Sequence, residues 1–284
     1  MTVRTLTRGD AGIAVGIARV PAYATSFPGR FPRWDDLSRA EREYCAAQLP
    51  RADRYAGRIA AKHAIRDALS STGCRRGFRD IEVLNDRHGR PWARVAPRED
   101  RDDPSGGPTD HEVAVSIAHR RGRAIALAVA QRVGAGRTSE PLDIGVDLVE
   151  RRRVEEADQR TLARLSSLVL TAEERSTSWF SSAPAQSVLI GMTVKEAVAK
   201  AMKRTVAVMT WHDVTLSPDV EMSRAFEGRV VARALARHVG VRVGVVGRAA
   251  AIDAGLWFLT ASDGIFAYAV AGRSRSVLTH DGAR

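Results

Sequence analysis

Asp147, in LDIGVDLVE (Leu142 to Glu150), and Glu196 and Lys200, in KEAVAK (Lys195 to Lys200), have the residue types to do chemistry together. Two carboxylates are hard oxygen donors. A hard dication such as Mg²⁺ takes one or two of them and leaves the rest of its shell to waters and substrate phosphates. An ammonium held beside such an ion would balance phosphate charge. Each residue also has an ordinary reading. Asp147 could be a solvated acid near a strand end, and Glu196 with Lys200 an i,i+4 surface ion pair contributing a few tenths of a kcal/mol. Spacing places Glu196 and Lys200 on one helix face, but spacing alone does not bring Asp147 to them.

The elements that must hold these residues follow from periodicity. Ile144, Val146 and Leu148 alternate with Gly145, Asp147 and Val149, which predicts a strand over 142–150 that projects Asp147 from one face. Gly191 to Met202 has small and apolar residues at helical spacing, with Val194, Ala197, Val198 and Ala201 as packing positions, and Arg54 to Leu69 reads the same way. Val113 to Ile117 and Ala124 to Ala130 predict a hairpin around HRRGR, and Leu256 to Ala261 with Ile265 to Ala271 predict another. Asp80 to Leu84 and Asp213 to Leu216 read as short strands. Ala96 to Glu112, Arg132 to Pro141 and the tail from Arg273 are rich in Gly, Pro, Ser or charge and read as loops.

A weak internal repeat organises this list. LSRAER starts at Leu37 and LTAEER at Leu170, a separation of 170 − 37 = 133, and the same offset carries Lys62 onto Lys195. Ungapped, Leu37–Leu69 and Leu170–Met202 share 7 of 33 identities, so the argument rests on their clustering. Ser38 with Glu41 and Thr171 with Glu174 both have the S/T-x-x-E form of a capping box. Two copies of strand, helices and antiparallel strands predict an α+β protein of two pseudo-twofold-related halves. The halves are expected at 1–131 and 142–272, joined by a linker at 132–141 and followed by a tail at 273–284. At the same offset the counterparts of Asp147, Glu196 and Lys200 are Ala14, His63 and Asp67. The first half therefore cannot build the same oxygen-ligand site, and one active site per chain is expected, at the seam between halves.

GVDLVE (Gly145 to Glu150), KEAVAK some 45 residues later and SIAH (Ser116 to His119) upstream together resemble the 4′-phosphopantetheinyl transferases, whose hallmark is a GxD strand followed by a KE-A/S-x-x-K helix. The duplicated layout is similar to the surfactin-type, pseudodimeric branch, in which each half resembles a holo-acyl-carrier-protein synthase subunit. The resemblance spans roughly Ala11 to Gly272. It implies transfer of the 4′-phosphopantetheinyl group from coenzyme A to a serine of an apo acyl or peptidyl carrier protein, with Mg²⁺ and release of adenosine 3′,5′-bisphosphate. Asp147 and Glu196 match the family's metal carboxylates. Lys200 matches the helix lysine beside the pyrophosphate, where it would stabilise phosphate charge or assist proton removal, and Glu196, directly or through metal-bound water, is the implied base. Gly89 to Pro91 resembles the G-K/R-P turn near the nucleotide end of coenzyme A. His119 matches the histidine of the S-x-S-H strand end, and Arg51 and Arg54 lie where the family has basic residues near the 3′-phosphate. Two positions depart from the pattern: Val149 stands where many surfactin-type enzymes have a second acid, with Glu150 next to it, and Ala118 replaces a common serine.

Composition sets the bounds around this reading. The 284 residues carry a net charge of +11, which favours polyanionic partners: nucleotide phosphates, an acidic protein or nucleic acid. A nucleic-acid-binding reading rests on RRGR and ERRR but lacks an aromatic stacking platform. An inactive carrier-protein scaffold is the other alternative, opposed by the presence of Asp147, Glu196 and Lys200. Ser116 and His119, three apart on a strand, face opposite ways, and without a G-x-S-x-G they do not make a hydrolase site. Arg151, Arg152 and Arg153 are either a solvated run or a docking surface for the carrier protein. Cys45 and Cys74 are the two cysteines, too few for a disulfide framework, and read as reduced structural thiols. No run approaches the roughly 18 apolar residues of a membrane span. A cytoplasmic monomer with no membrane or nucleic-acid partner is expected.

Overall fold

The computed structural model describes residues 3–8, 11–19, 34–96, 111–121, 123–132, 144–150, 152–177, 180–181, 183–201, 210–218, 239–245, 252–261 and 264–272. The chain divides into two units, Met1–Leu142 and Asp143–Arg284, each combining helices with antiparallel sheet.

In the first unit, β1 (Val3–Arg8), β2 (Ala11–Arg19), β5 (His111–Arg120) and β6 (Arg123–Arg132) form a sheet of order β1-β2-β6-β5, while β3 (Ile81–Asn85) and β4 (Pro91–Val95) pair as a separate ribbon. Helix α1 (Arg39–Ala47) precedes the long α2 (Arg51–Ser71). The AIALAVA run explains how α2 seats on the sheet. Ala124, Ala126, Ala128 and Ala130 of β6 share one buried cluster with Ala56, Ala60, Ala64 and Ala68 of α2. Small side chains on both surfaces let helix and sheet approach closely, and the fully buried Ile65 and Leu69 each add about 1.5 to 3 kcal/mol. The β5–β6 hairpin is longer at both ends than its apolar pattern predicts. His111 and Glu112, read as loop, pair with Arg132 and Gln131, because ladder bonds do not depend on the polarity of the side chains.

In the second unit, β7 (Ile144–Val146), β12 (Gly264–Gly272), β11 (Ile252–Ala261), β10 (Val239–Val245) and β9 (Val214–Pro218) follow one another across a sheet, and β8 (Val149–Glu150) also pairs with β12. The helices are α3 (Arg152–Glu155), α4 (Gln159–Val169), α5 (Ala172–Ser176) and α6 (Pro184–Ala201). Helix α6 starts seven residues before the predicted Gly191, since SVLIGMTV is buried on every side and gives no helical stripe to read. The strand predicted over 142–150 is interrupted at Asp147 and Leu148. Ile144, Gly145, Val146, Leu148 and Val149 are all buried, so no face alternates, and at the interruption the Val146 carbonyl accepts a bond from Lys200.

Both units contain the same buried framework at the 133-residue offset. Ser38 and Thr171 cap α1 and α5, and Glu41 and Glu174 reach back to the capping residues' own amides at 2.7 Å in each case. Glu41 then pairs with Lys62 at 2.8 Å, and Glu174 with Lys195 at 2.8 Å. The second oxygen of each carboxylate accepts from the strand that follows: Val83 N–H at 2.8 Å and Leu216 N–H at 2.5 Å. The two lysines also donate to corresponding carbonyls, Asp36 at 2.6 Å and Val169 at 2.8 Å. One carboxylate thus joins a helix start, a long helix and a strand. Burying it costs several kcal/mol per ion, offset here because every oxygen is bonded. Among the described residues no helix is long and apolar enough to cross a membrane.

Candidate active site

Gly145 determines how the second-unit site is built. A Cβ there would lie 1.9 Å from the Ala197 carbonyl oxygen and 2.6 Å from the Ala201 amide nitrogen, so only glycine lets β7 pass this close to α6. That close passage sets Asp147 beside the last turn of the helix. Lys200 Nζ donates to Asp147 Oδ1 at 2.8 Å and to the Val146 carbonyl at 2.9 Å. Glu196 lies one turn earlier on α6 and is half-buried. The ammonium thus bonds the strand end at two points. The Asp147 and Lys200 side chains keep 15% and 34% of their exposure, so a ligand can reach both.

Asp147 and Glu196 are carboxylates, whose oxygens suit a hard dication better than a soft one. No group of three or more His, Cys, Asp and Glu side chains converges among the described residues. Two carboxylates, with phosphate and water supplying the remainder, is the arrangement magnesium accepts.

In the first unit a second polar set forms on α2 and β5. Arg54 Nη1 lies 3.0 Å from His119 Nε2, and Asp53 Oδ2 lies 3.9 Å from His119 Nδ1. A guanidinium only donates, so in this contact His119 can only accept at Nε2, which leaves Nδ1 on the side of Asp53. Gly57 leaves room for the ring: a Cβ there would meet Ile117 Cγ2 at 3.2 Å and His119 Cδ2 at 3.4 Å. Arg51 is exposed, and its Nε donates to the Ala46 carbonyl at 3.1 Å.

Arg90 sits in a turn shaped by its neighbours. Asp86 Oδ1 accepts from the amides of His88 at 2.8 Å and Arg90 at 2.9 Å, and the Asp86 amide donates to the Arg90 carbonyl at 2.9 Å. The Arg90 amide bond holds the exposed Asp86 carboxyl below its usual range. Gly89 has φ +78°, a conformation side chains resist. Asn85 Nδ2 donates to the Gly89 carbonyl at 2.6 Å, and Asn85 Oδ1 accepts from the buried Arg58, whose guanidinium lies 4.3 Å over the Tyr44 ring. Sequence reasoning missed Asp53, Arg58, Asn85 and Asp86. Only the D-x-x-G form of the turn at Asp86 to Gly89 was readable in advance.

The first-unit counterparts of the catalytic candidates have other surroundings. His63 is buried and meets Phe78 edge-on at 4.5 Å, and Asp67 pairs with Arg66 at 2.9 Å. Ala14 lies on β2, paired with Ala128. Arg151 and the side chains of Arg152 and Arg153 lie outside the described residues.

No family model matches the chain. Among curated proteins, the holo-[acyl-carrier-protein] synthase of Chlorobaculum parvum is 39% identical over 97 residues, which cover 34% of this chain and 74% of that protein. The holo-[acyl-carrier-protein] synthase of Chlorobaculum tepidum is 36% identical over 118 residues, covering 40% of this chain and 91% of that protein. A solved structure described as the Chronobacterium ammoniagenes ACPS-CoA complex aligns at 26% identity with a TM-score of 0.36, covering 44% of this chain and 98% of that one.

Proposed function

The chain belongs to the phosphopantetheinyl transferase superfamily, and from that premise we propose that it moves the 4′-phosphopantetheinyl group of coenzyme A onto a serine of an apo acyl or peptidyl carrier protein. The observation that carries this reading is the Lys200 ammonium joined to Asp147 Oδ1 and the Val146 carbonyl, one helical turn from Glu196. Asp147 and Glu196 would hold Mg²⁺, which when bound supplies positive charge to the pyrophosphate oxygens. Lys200 carries part of the same charge, from a position preset by two hydrogen bonds, so no reorganisation is needed as charge develops. The carrier serine oxygen attacks the β-phosphorus of coenzyme A, and a new P–O bond forms as the bond to adenosine 3′,5′-bisphosphate breaks. Glu196 accepts the serine proton. What remains is positioning, which is where phosphoryl transfer gains most of its rate.

In the first half, Arg54, His119 and Arg90, with Arg51 at their margin, take the nucleotide end of coenzyme A. Arg54 and Arg90 supply permanent positive charge for the 3′-phosphate, and His119 is oriented by its two neighbours. The framework repeated at 133 residues supports the surfactin-type reading, in which one chain contains two halves that each resemble a synthase subunit and acts as a monomer. Intact-mass analysis of an acyl and a peptidyl carrier protein, each incubated with the enzyme, coenzyme A and Mg²⁺, tests the proposal. A carrier gaining one phosphopantetheinyl group, and gaining none after chelation of the metal, is expected. Unmodified carriers, or full transfer without divalent ions, would refute it.

A further inference from the structure

Arg58 is a buried cation that neither the proposed reaction nor the repeated ion-pair framework uses. It is 4% exposed, its Nε has no hydrogen-bond partner, and burial lowers its proton affinity. Keeping a guanidinium in such a place is costly unless its contacts serve something. Comparison with the other unit shows that the fold does not ask for it. The residue at the equivalent position is Gly191, where a Cβ would already meet Leu170 Cδ2 at 2.6 Å and Val169 Cγ1 at 2.9 Å. The second unit completes its Glu174–Lys195 framework with no side chain there. Asn85 likewise corresponds to Pro218, the last residue of β9, which has no amide side chain. Arg58 and Asn85 are thus an addition of the first unit, and they meet each other.

What they hold is the turn bearing Arg90. Arg58 Nη2 donates to Asn85 Oδ1, which fixes the amide so that Nδ2 points the other way and donates to the Gly89 carbonyl at 2.6 Å. The orientation has no alternative, because a guanidinium offers only donors and a carbonyl only an acceptor. Gly89 immediately precedes Arg90, so the chain of contacts runs from the middle of α2 to the residue next to the proposed phosphate ligand. We propose that Asn85, anchored by Arg58, is a positioning residue that presents Arg90 to the nucleotide end of coenzyme A. This rests on the assignment of Arg90 made above.

A positioning role has a signature that a purely structural one lacks. Steady-state kinetics with coenzyme A as the varied donor should show Asn85→Ala raising KM about tenfold with kcat within about twofold, the pattern of lost uniform binding. In an Arg90→Ala background the same change should add less than about twofold, since both act through one contact. Asn85→Asp keeps the acceptor for Arg58 but loses the donor to Gly89, and should match Asn85→Ala in KM. Arg58→Met should behave likewise, and if it does not fold, the Asn85 pair decides. A raised KM in Arg90→Ala with wild-type KM in both Asn85 variants overturns the positioning role alone. Multiplicative effects of Asn85→Ala and Arg90→Ala do the same. An unchanged KM in Arg90→Ala overturns this proposal together with the assignment it rests on.

Discussion

The two halves of this chain share a buried ion pair and differ at the positions on which the proposed chemistry rests. Glu41 with Lys62 and Glu174 with Lys195 have the same lysine distance and corresponding partners, a capping residue that is Ser38 in one and Thr171 in the other and a strand amide from Val83 or Leu216. Around that constant frame, the first half has Ala14, His63 and Asp67 where the second has Asp147, Glu196 and Lys200. The reverse divergence gives the first half Arg58 and Asn85 where the second has Gly191 and Pro218. A residue pair that is identical in both halves and fully buried serves the fold. The positions that differ are those to which the proposed function gives separate tasks in the two halves.

The sharpest way to break this comparison is to remove chemistry from the second half. Glu196→Gln is expected to slow transfer by at least about 10³-fold, and Lys200→Ala by about 10²-fold, with circular dichroism unchanged, because each would remove a charge that the proposed mechanism uses at the transferring phosphate. Near-wild-type turnover in either variant at saturating Mg²⁺ would move the site elsewhere.

The frame itself should fail in stability before it fails in catalysis. Glu41→Gln and Glu174→Gln each leave a buried lysine without its counter-charge, and a loss of about 3 to 5 kcal/mol in urea unfolding is expected for each. Cys45 sharpens the test. Burial pushes its thiol up to about 12, so at pH 8 almost no thiolate exists and alkylation waits for local opening. Glu41→Gln should speed Cys45 alkylation more than Glu174→Gln does. Equal acceleration by the two would mean that the frames are not local to their halves.

Smaller effects separate the ligands. Arg90→Ala should weaken coenzyme A by about 1.5 to 3 kcal/mol and 3′-dephospho-coenzyme A hardly at all, since only the former presents a 3′-phosphate for a charge-assisted bond. Equal losses in KM would place Arg90 away from that phosphate. Replacing Arg151, Arg152 and Arg153 with Glu should raise KM for an acidic carrier protein mainly at low salt, while KM for coenzyme A stays constant. Exposed pairs contribute about 0 to 1 kcal/mol each and are screened over about 8 Å at physiological ionic strength. A salt-independent carrier KM would leave these arginines as solubility residues.

The comparison also explains what could be read beforehand. The strands at Ile81–Asn85 and Val214–Pro218 and both long hairpins were visible because apolar, β-branched residues cluster between turn signals. The α6 start was hidden by a segment apolar on every face, and the break at Asp147 by a strand buried on both sides. Glu41 and Glu174 read as helix caps, which they are, but their burial depends on a lysine 21 residues away and a strand amide further on. Only the equal Glu-to-Lys spacing in both halves could have signalled it. The Lys200 contact with Asp147 joins two motifs that the sequence singled out, whereas Asn85, Asp86 and Arg58 meet around a turn whose closure no local pattern records.

The most direct test of the division between halves is the single-turnover rate at which coenzyme A modifies an apo carrier protein, followed by intact mass at saturating Mg²⁺. The account predicts that Asp147→Ala leaves the carrier unmodified, while His63→Ala combined with Asp67→Ala keeps most of the wild-type rate. Modification by Asp147→Ala at the wild-type rate, or its loss in a folded His63→Ala, Asp67→Ala double variant, would contradict it.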